Sequence, residues 1–178
     1  QALKAATTAT ENVAIGSESM ILNTTGGYNV AVGYRSLKTN TTGGENVAFG
    51  YGALEANTTA SNNSAFGLYA LKNNTTGNNN TAVGYLASQN NTTGYDNVFV
   101  GYYAGKANTT GYYSTAVGHE ALDSQTTGHT NSAYGIGTLH NVTTGTGNVA
   151  IGPWALDAVT TTSNNVATGQ HALGKVTG

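Results

Sequence analysis

The sequence holds no cysteine, a single proline at Pro153 and a single methionine. Without cysteine there is neither a disulfide framework nor a Cys-based metal site. Charge is scarce as well. Six Lys+Arg and eight Asp+Glu make 8% of 178 residues, against about 25% in an ordinary soluble domain. A net charge of −2 leaves no basic stripe, which argues against nucleic acid as a partner. No run approaches the length of apolar chain that crosses a bilayer as a helix, so no membrane insertion is expected. The chain lacks a start Met and a signal-like N-terminus, and reads as a mature product or a fragment. What is abundant is Thr (30), Gly (25) and Asn (22). All three are poor helix formers, which excludes a helical bundle. Disorder would combine low hydrophobicity with high net charge, whereas here apolar residues recur regularly.

The recurrence is a repeat. Asn-Val-Ala-Ile-Gly at residues 12–16 restarts at Asn29, Asn46, Asn63, Asn80, Asn97, Ser114, Asn131, Asn148 and Asn165, 17 residues apart each time. Residues 1–11 fit as a partial coil, 12–164 as nine full coils and 165–178 as a final partial one, giving a single array over 1–178. Numbering the places 1 to 17 from that Asn, the consensus is N-V-A-V-G-Y-x-A-L-x-x-N-T-T-G-x-x. Place 5 is always glycine: Gly16, Gly33, Gly50, Gly67, Gly84, Gly101, Gly118, Gly135, Gly152 and Gly169. Place 3 is Ala except at Phe99, and place 9 is Leu or Met except at Ser88 and Gly105.

Seventeen residues are too few for a helical repeat or a propeller blade. They suit one turn of an all-β parallel β-solenoid of about ten coils, with two short strands and two bends per coil. Places 1 to 6 alternate bulky and small residues, as a strand does. Places 8 to 14 supply the second strand, and Gly at place 15 suits a bend of positive φ. One coil buries too few apolar groups to be stable. Stacked about 4.8 Å apart, the coils pair strands in register and align equal places into columns of Val, Leu, Asn and Thr. Ten coils would span roughly 50 Å. Lys4, Lys38, Lys72 and Lys106 share place 10 in every second coil, which avoids like charges on adjacent rungs.

Asn12-Val-Ala-Ile-Gly-Ser-Glu-Ser19 resembles the head repeat of trimeric autotransporter adhesins of the YadA type. Asn80-Thr-Ala-Val-Gly-Tyr85 and Asn74-Thr-Thr-Gly77 resemble repeats of tail-fibre-like proteins of phages and bacteria. The resemblance covers the whole chain. It implies a left-handed parallel β-roll assembled as a homotrimer, on a bacterial cell surface or a virion tail. These 178 residues hold only repeats, which leaves the autotransporter, tail-fibre and other-filament versions of the resemblance open.

Candidate chemistry is thin. His119, His129, His140 and His171 fall at four different places and form no column, and Glu120 and Asp123 are the closest acids. No catalytic residue, cofactor or metal is therefore expected, and the chain reads as a non-enzyme. Tyr85, Tyr95, Tyr102, Tyr103, Tyr112 and Tyr113 predict an exposed aromatic band, suited either to stabilising the roll or to stacking on a glycan or partner surface. Asn23, Asn40, Asn57, Asn74, Asn91 and Asn108 head Asn-Thr-Thr, a glycosylation pattern, although an Asn that simply makes a turn is the better account of the column. Adjacent threonines at places 13 and 14 leave one outward Thr column, where an ice-binding face uses two. The place-12 column turns into Gln125, Val142, Val159 and Val176, a late apolar stripe pointing to a subunit contact or a following domain.

The expectation is a rigid extracellular fibre segment, a shaft or head of an adhesin or tail fibre that attaches to host cells or surfaces, with itself and a host-surface or glycan receptor as partners. The alternatives are a self-assembling surface filament, with chains stacked end to end, and a glycan-binding module working through the Tyr band. Coils that stop part-way at both ends suggest an excerpt of a longer fibre.

Overall fold

The computed structural model describes residues 1–174. Among these residues there is no helix, and ten strands of three residues run from β1 (Val13–Ile15) to β10 (Val166–Thr168) in one parallel sheet, in sequence order. Each strand occupies places 2 to 4 of its coil and pairs with the residues 17 positions on, Ala14 with Ala31 and Val83 with Val100 for example. The molecule is a β-solenoid with one 17-residue coil per turn.

The second expected strand is absent. Places 7 and 9 adopt positive φ in every full coil, Arg35 at 58° and Leu37 at 49° for example, and place 17 does the same at Tyr28 and Glu45. Left-handed residues cannot continue a strand, so places 6 to 11 form a tight corner. The corner still bonds to the next coil: Leu37 N–H donates to Ala53 O at 3.0 Å and Thr39 N–H to Glu55 O at 3.1 Å. Such conformations cost about 1 kcal/mol or more each outside glycine, and the repeated inter-coil hydrogen bonds hold them.

Two kinds of glycine serve different ends. At place 5, φ lies between 115° and 144° and a Cβ would overlap the next coil's glycine carbonyl. Place 15 does not have the positive φ expected for it. Its glycines are small because a Cβ would press on the next coil's carbonyl and on the place-12 Asn. Ala60 sits at the same place and is buried, so that space is tight but not closed.

The strand faces are sorted by size. Ala at place 3 points inward, against Ala at place 8 and Leu at place 9, and these three columns make the core. The bulkier residues at places 2 and 4 point outward. The interior is too narrow for more: where Phe99 replaces Ala, place 9 of the same coil is Gly105, and a Cβ there would stand 2.7 Å from the Phe99 ring. The core divides into two clusters between Ala87 and Phe99, at the coil where Ser88 replaces Leu. The buried Ser88 hydroxyl has no hydrogen-bond partner. Val142 and Val159 are also interior, so they are core residues and not the subunit contact their stripe suggested. Val176 lies outside the described residues.

The Phe99 and Gly105 swap gives a double-mutant test. Phe99→Ala should cost about 3–5 kcal/mol through the cavity it leaves. Adding Gly105→Leu should recover most of that loss in urea denaturation, because Leu already occupies this left-handed place in the following coil at Leu122 and in most others.

Candidate functional site

Stacking turns each repeat place into a surface or interior column, and those columns are where function could reside. The place-12 asparagines lie wholly inside. Asn23, Asn40, Asn57, Asn74, Asn91 and Asn108 are each 0% exposed. Asn40 Nδ2 donates to Asn23 Oδ1 at 2.8 Å and to Gly43 O at 2.9 Å, and the pattern repeats at Asn57, Asn74, Asn91 and Asn108. The place-1 asparagines form a second ladder on the same carbonyls, with Asn29 Nδ2 also donating to Gly43 O at 2.9 Å. Every amide nitrogen that a glycan would modify is thus buried and committed, and a glycan there has no room in the folded coil. The column is a structural amide ladder.

The two ladders meet in a compensating pair. Where Ser114 shortens place 1, Gln125 lengthens place 12 of the same coil. Gln125 accepts from Asn131 Nδ2 at 2.8 Å and donates to Asn108 Oδ1 at 3.1 Å. Beyond it the column becomes Val142, with no polar atom left to satisfy.

The expected tyrosine band resolves into two ladders. Tyr85, Tyr102 and Tyr103 stand at places 6 and 7, and Tyr95, Tyr112 and Tyr113 at places 16 and 17. The three-residue strand, about 10 Å of extended chain, lies between them. Within each ladder most rings use their faces on one another, while Tyr113 meets Tyr95 and Tyr112 in T-shaped contacts at 81°. Tyr95 and Tyr112 stack at 5.0 Å and 1°, and His129 follows at 4.5 Å and 10°. Tyr85, Tyr102 and His119 stack at 5.3 Å and 4.9 Å. Edges and hydroxyls face solvent, whereas sugar stacking needs a free face. Hydrogen bonding to Tyr103, with burial second, pushes the Tyr102 hydroxyl up to about 12. This geometry favours the stabilising role of the tyrosines.

Places 7 and 10 face each other across the corner, a proximity the column pattern alone did not reveal. Arg35 and Lys38 both reach Glu18 at 3.0 Å, and hydrogen bonds from Lys38 and then Arg35 hold the Glu18 carboxyl below its ordinary range. Lys72 and Lys106 lie over Tyr69 and Tyr103 at 4.4 and 4.1 Å. His140 approaches Glu120 at 3.8 Å and Asp123 at 3.9 Å. Among the described residues no three His, Asp or Glu side chains converge as a metal-ligand set. Asp123 is half-buried, one of its oxygens has no hydrogen-bond partner, and burial raises its pKa.

Two features escaped the sequence reading. One is the outward apolar face at places 2 and 4, which includes exposed Ile15, Phe49, Phe66, Val83, Val117 and Ile151. The other is a groove of about 380 Å³ beside Tyr28 and Glu45. Its only sequence signal is that place 16 reads Thr10, Gly27, Gly44 and Ser61 in the early coils and becomes aromatic at Tyr95, Tyr112 and His129. The place-13 threonines turn their hydroxyls to the next coil's carbonyl, as Thr41 does to Thr58 O at 3.0 Å, and place 14 presents a column of exposed Thr such as Thr42 and Thr76. No protein-family model, curated protein or solved structure matches the chain.

Two outcomes follow. The intact mass of the protein secreted from a glycosylating host should equal the sequence mass, with the six Asn-Thr-Thr sites unmodified. For Asp123, a carboxyl whose pKa is raised by folding favours the folded state below its unfolded pKa and loses that contribution as pH rises through the folded value. Asp123→Asn should therefore raise the urea midpoint at pH 7, and its advantage should shrink towards pH 3.

Proposed function

We propose that the chain is a rigid segment of an extracellular fibre, a shaft or head that assembles as a homotrimer and serves attachment to host cells or surfaces. The observation that carries this reading is the unpartnered sheet face. Ten parallel strands turn their bulky residues outward along a strip about 45 Å long at ordinary strand spacing. Phe49 is 54% exposed and Ile15 59% exposed, and Phe49 stacks on Phe66 at 6.5 Å along the same column. Parallel sheets are normally covered on both faces, and an apolar strip continuous over so many strands marks an interaction surface. Every coil presents nearly the same strip, so copies of the chain aligned side by side offer each other matching surfaces along their full length.

The remaining chemistry supports a mechanical role. Polar side chains are used on neighbouring coils, and the ion pairs are spent along the corner. A left-handed β-roll and the trimeric state come from the resemblance to adhesin heads and tail fibres, and the apolar strip is the surface such a trimer would bury. Attachment at an extracellular surface belongs to the same reading.

Light scattering coupled to size exclusion should give a particle of three chains. Phe49→Asp with Phe66→Asp should convert it to monomer while the far-ultraviolet spectrum stays β. A wild-type protein that is monomeric at 100 μM would overturn the trimer. Rods of indefinite length would favour the self-assembling filament instead.

A further inference from the structure

Two tyrosines, Tyr28 and Tyr134, stand outside the aromatic ladders, and of these Tyr28 borders a groove. Tyr28 stands at place 17 of an early coil, 59% exposed. None of the described ring pairs joins it to another aromatic side chain. Beside it lies the groove of about 380 Å³, a volume within the range that takes small molecules. The groove exists because place 16 is small here. Gly27 and Gly44 form its floor, where Tyr95, Tyr112 and His129 fill the same corner in later coils. Its rim is the place-17 column of Tyr28, Glu45 and Asn62, which the left-handed φ of 59–62° sets on one line.

The floor also carries an unused donor. In three coils the place-16 backbone N–H is met by a side-chain oxygen of the next coil: Gly44 N–H donates to Ser61 Oγ at 3.1 Å, Ser61 N–H to Asn78 Oδ1 at 2.8 Å and Thr146 N–H to Ser163 Oγ at 2.9 Å, whereas at Gly27, as at Tyr95, Tyr112 and His129, it has no such partner. Above Gly27 the next coil has Gly44, with no side chain to accept. A Cβ built on Gly44 would stand 3.1 Å from Gly27 O and 3.9 Å from Gly27 N, so a Ser there presses on that carbonyl and brings an oxygen beside the donor. Among the described hydrogen bonds Gly27 N–H has no acceptor.

We propose that this groove binds a neutral saccharide. Tyr28 offers a free ring face for the apolar C–H side of a pyranose. Glu45 accepts from sugar hydroxyls as a charged and therefore stronger acceptor, Asn62 both donates and accepts, and Gly27 N–H donates to a ring or hydroxyl oxygen. No Lys, Arg or His lines the groove, and the one carboxylate repels sialylated or sulfated sugars. The assignment gives the attachment reading a ligand class, and rests on that reading only for its biological use.

The test is saturation-transfer NMR on the full chain with lactose and maltotriose, and sialyllactose as the anionic control. Saturation transfer to at least one neutral sugar, and weaker transfer to sialyllactose, is expected. Tyr28→Asn should weaken binding about tenfold, the loss of one well-placed stacking contact. Asn fits this left-handed place, as Asn62 and Asn79 show, so the coil should keep its spectrum and stability. Gly44→Ser should also weaken binding by capping the Gly27 N–H, whereas Tyr112→Phe should leave it unchanged. No transfer to either neutral sugar at 10 mM, preference for sialyllactose, or binding unaffected by Tyr28→Asn would each overturn the proposal. Because chain association is measured separately by light scattering, a trimer that binds no sugar and a monomer that does are distinct results.

Discussion

Everything in this molecule depends on one constraint: each coil must lie on the next with its backbone shifted by 17 residues and by nothing else. The contact is backbone on backbone. Glycine at place 5 comes so close to its counterpart in the next coil that no Cβ fits. That proximity lets three-residue strands, corners and bends hydrogen-bond between coils, alongside a few short turns within each coil such as Asn40 N–H to Leu37 O at 3.2 Å. A coil by itself satisfies few of its own polar groups. The array is therefore cooperative in one dimension, each coil completed by its neighbours.

The same constraint explains the inversion of size across the strand. An interior enclosed by a 17-residue loop has little width, so Ala at places 3 and 8 and Leu at place 9 fill it, while Val, Ile and Phe are sent outside. The polar ladders follow from the narrowness as well. The carbonyl at place 15 turns inward where water is excluded, and two asparagine columns meet it from either side. Burying a partnered amide is tolerable; leaving that carbonyl bare is costly. The outward apolar strip is then a consequence of interior economy and, at the same time, the surface that invites other copies.

Departures from the repeat come in pairs. Phe99 is large where Gly105 is small, and Gln125 is long where Ser114 is short. In each case one coil keeps its interior volume or its hydrogen bonds while the register is untouched. Ser88 lacks such a partner, and the core clusters part there. The surface tolerates change more freely. Place 16 runs from Gly to Tyr to His without disturbing the stack, which allows one part of the array to carry an aromatic ladder and another a groove.

Period, coil count, all-β class and the column logic were legible in the amino-acid order, because a repeat written ten times reports what each place must satisfy. The sequence alone showed that glycine at place 5 and threonine at place 13 recur in every coil. It did not determine which strand face turns inward, since alternation defines two faces without choosing between them. Only the closed coil decided that Ala goes in and Val and Phe go out, because the interior is too narrow for both. Nor could spacing along the chain show that places 7 and 10 meet at a corner, that the Asn-Thr-Thr sites are buried, or that the tyrosines split into two ladders on either side of the strand. Those depend on left-handed residues at places 7, 9 and 17, a backbone choice that Arg, Leu, Tyr and Glu do not announce. They adopt it because the hydrogen bonds to the adjacent coil outweigh the local strain.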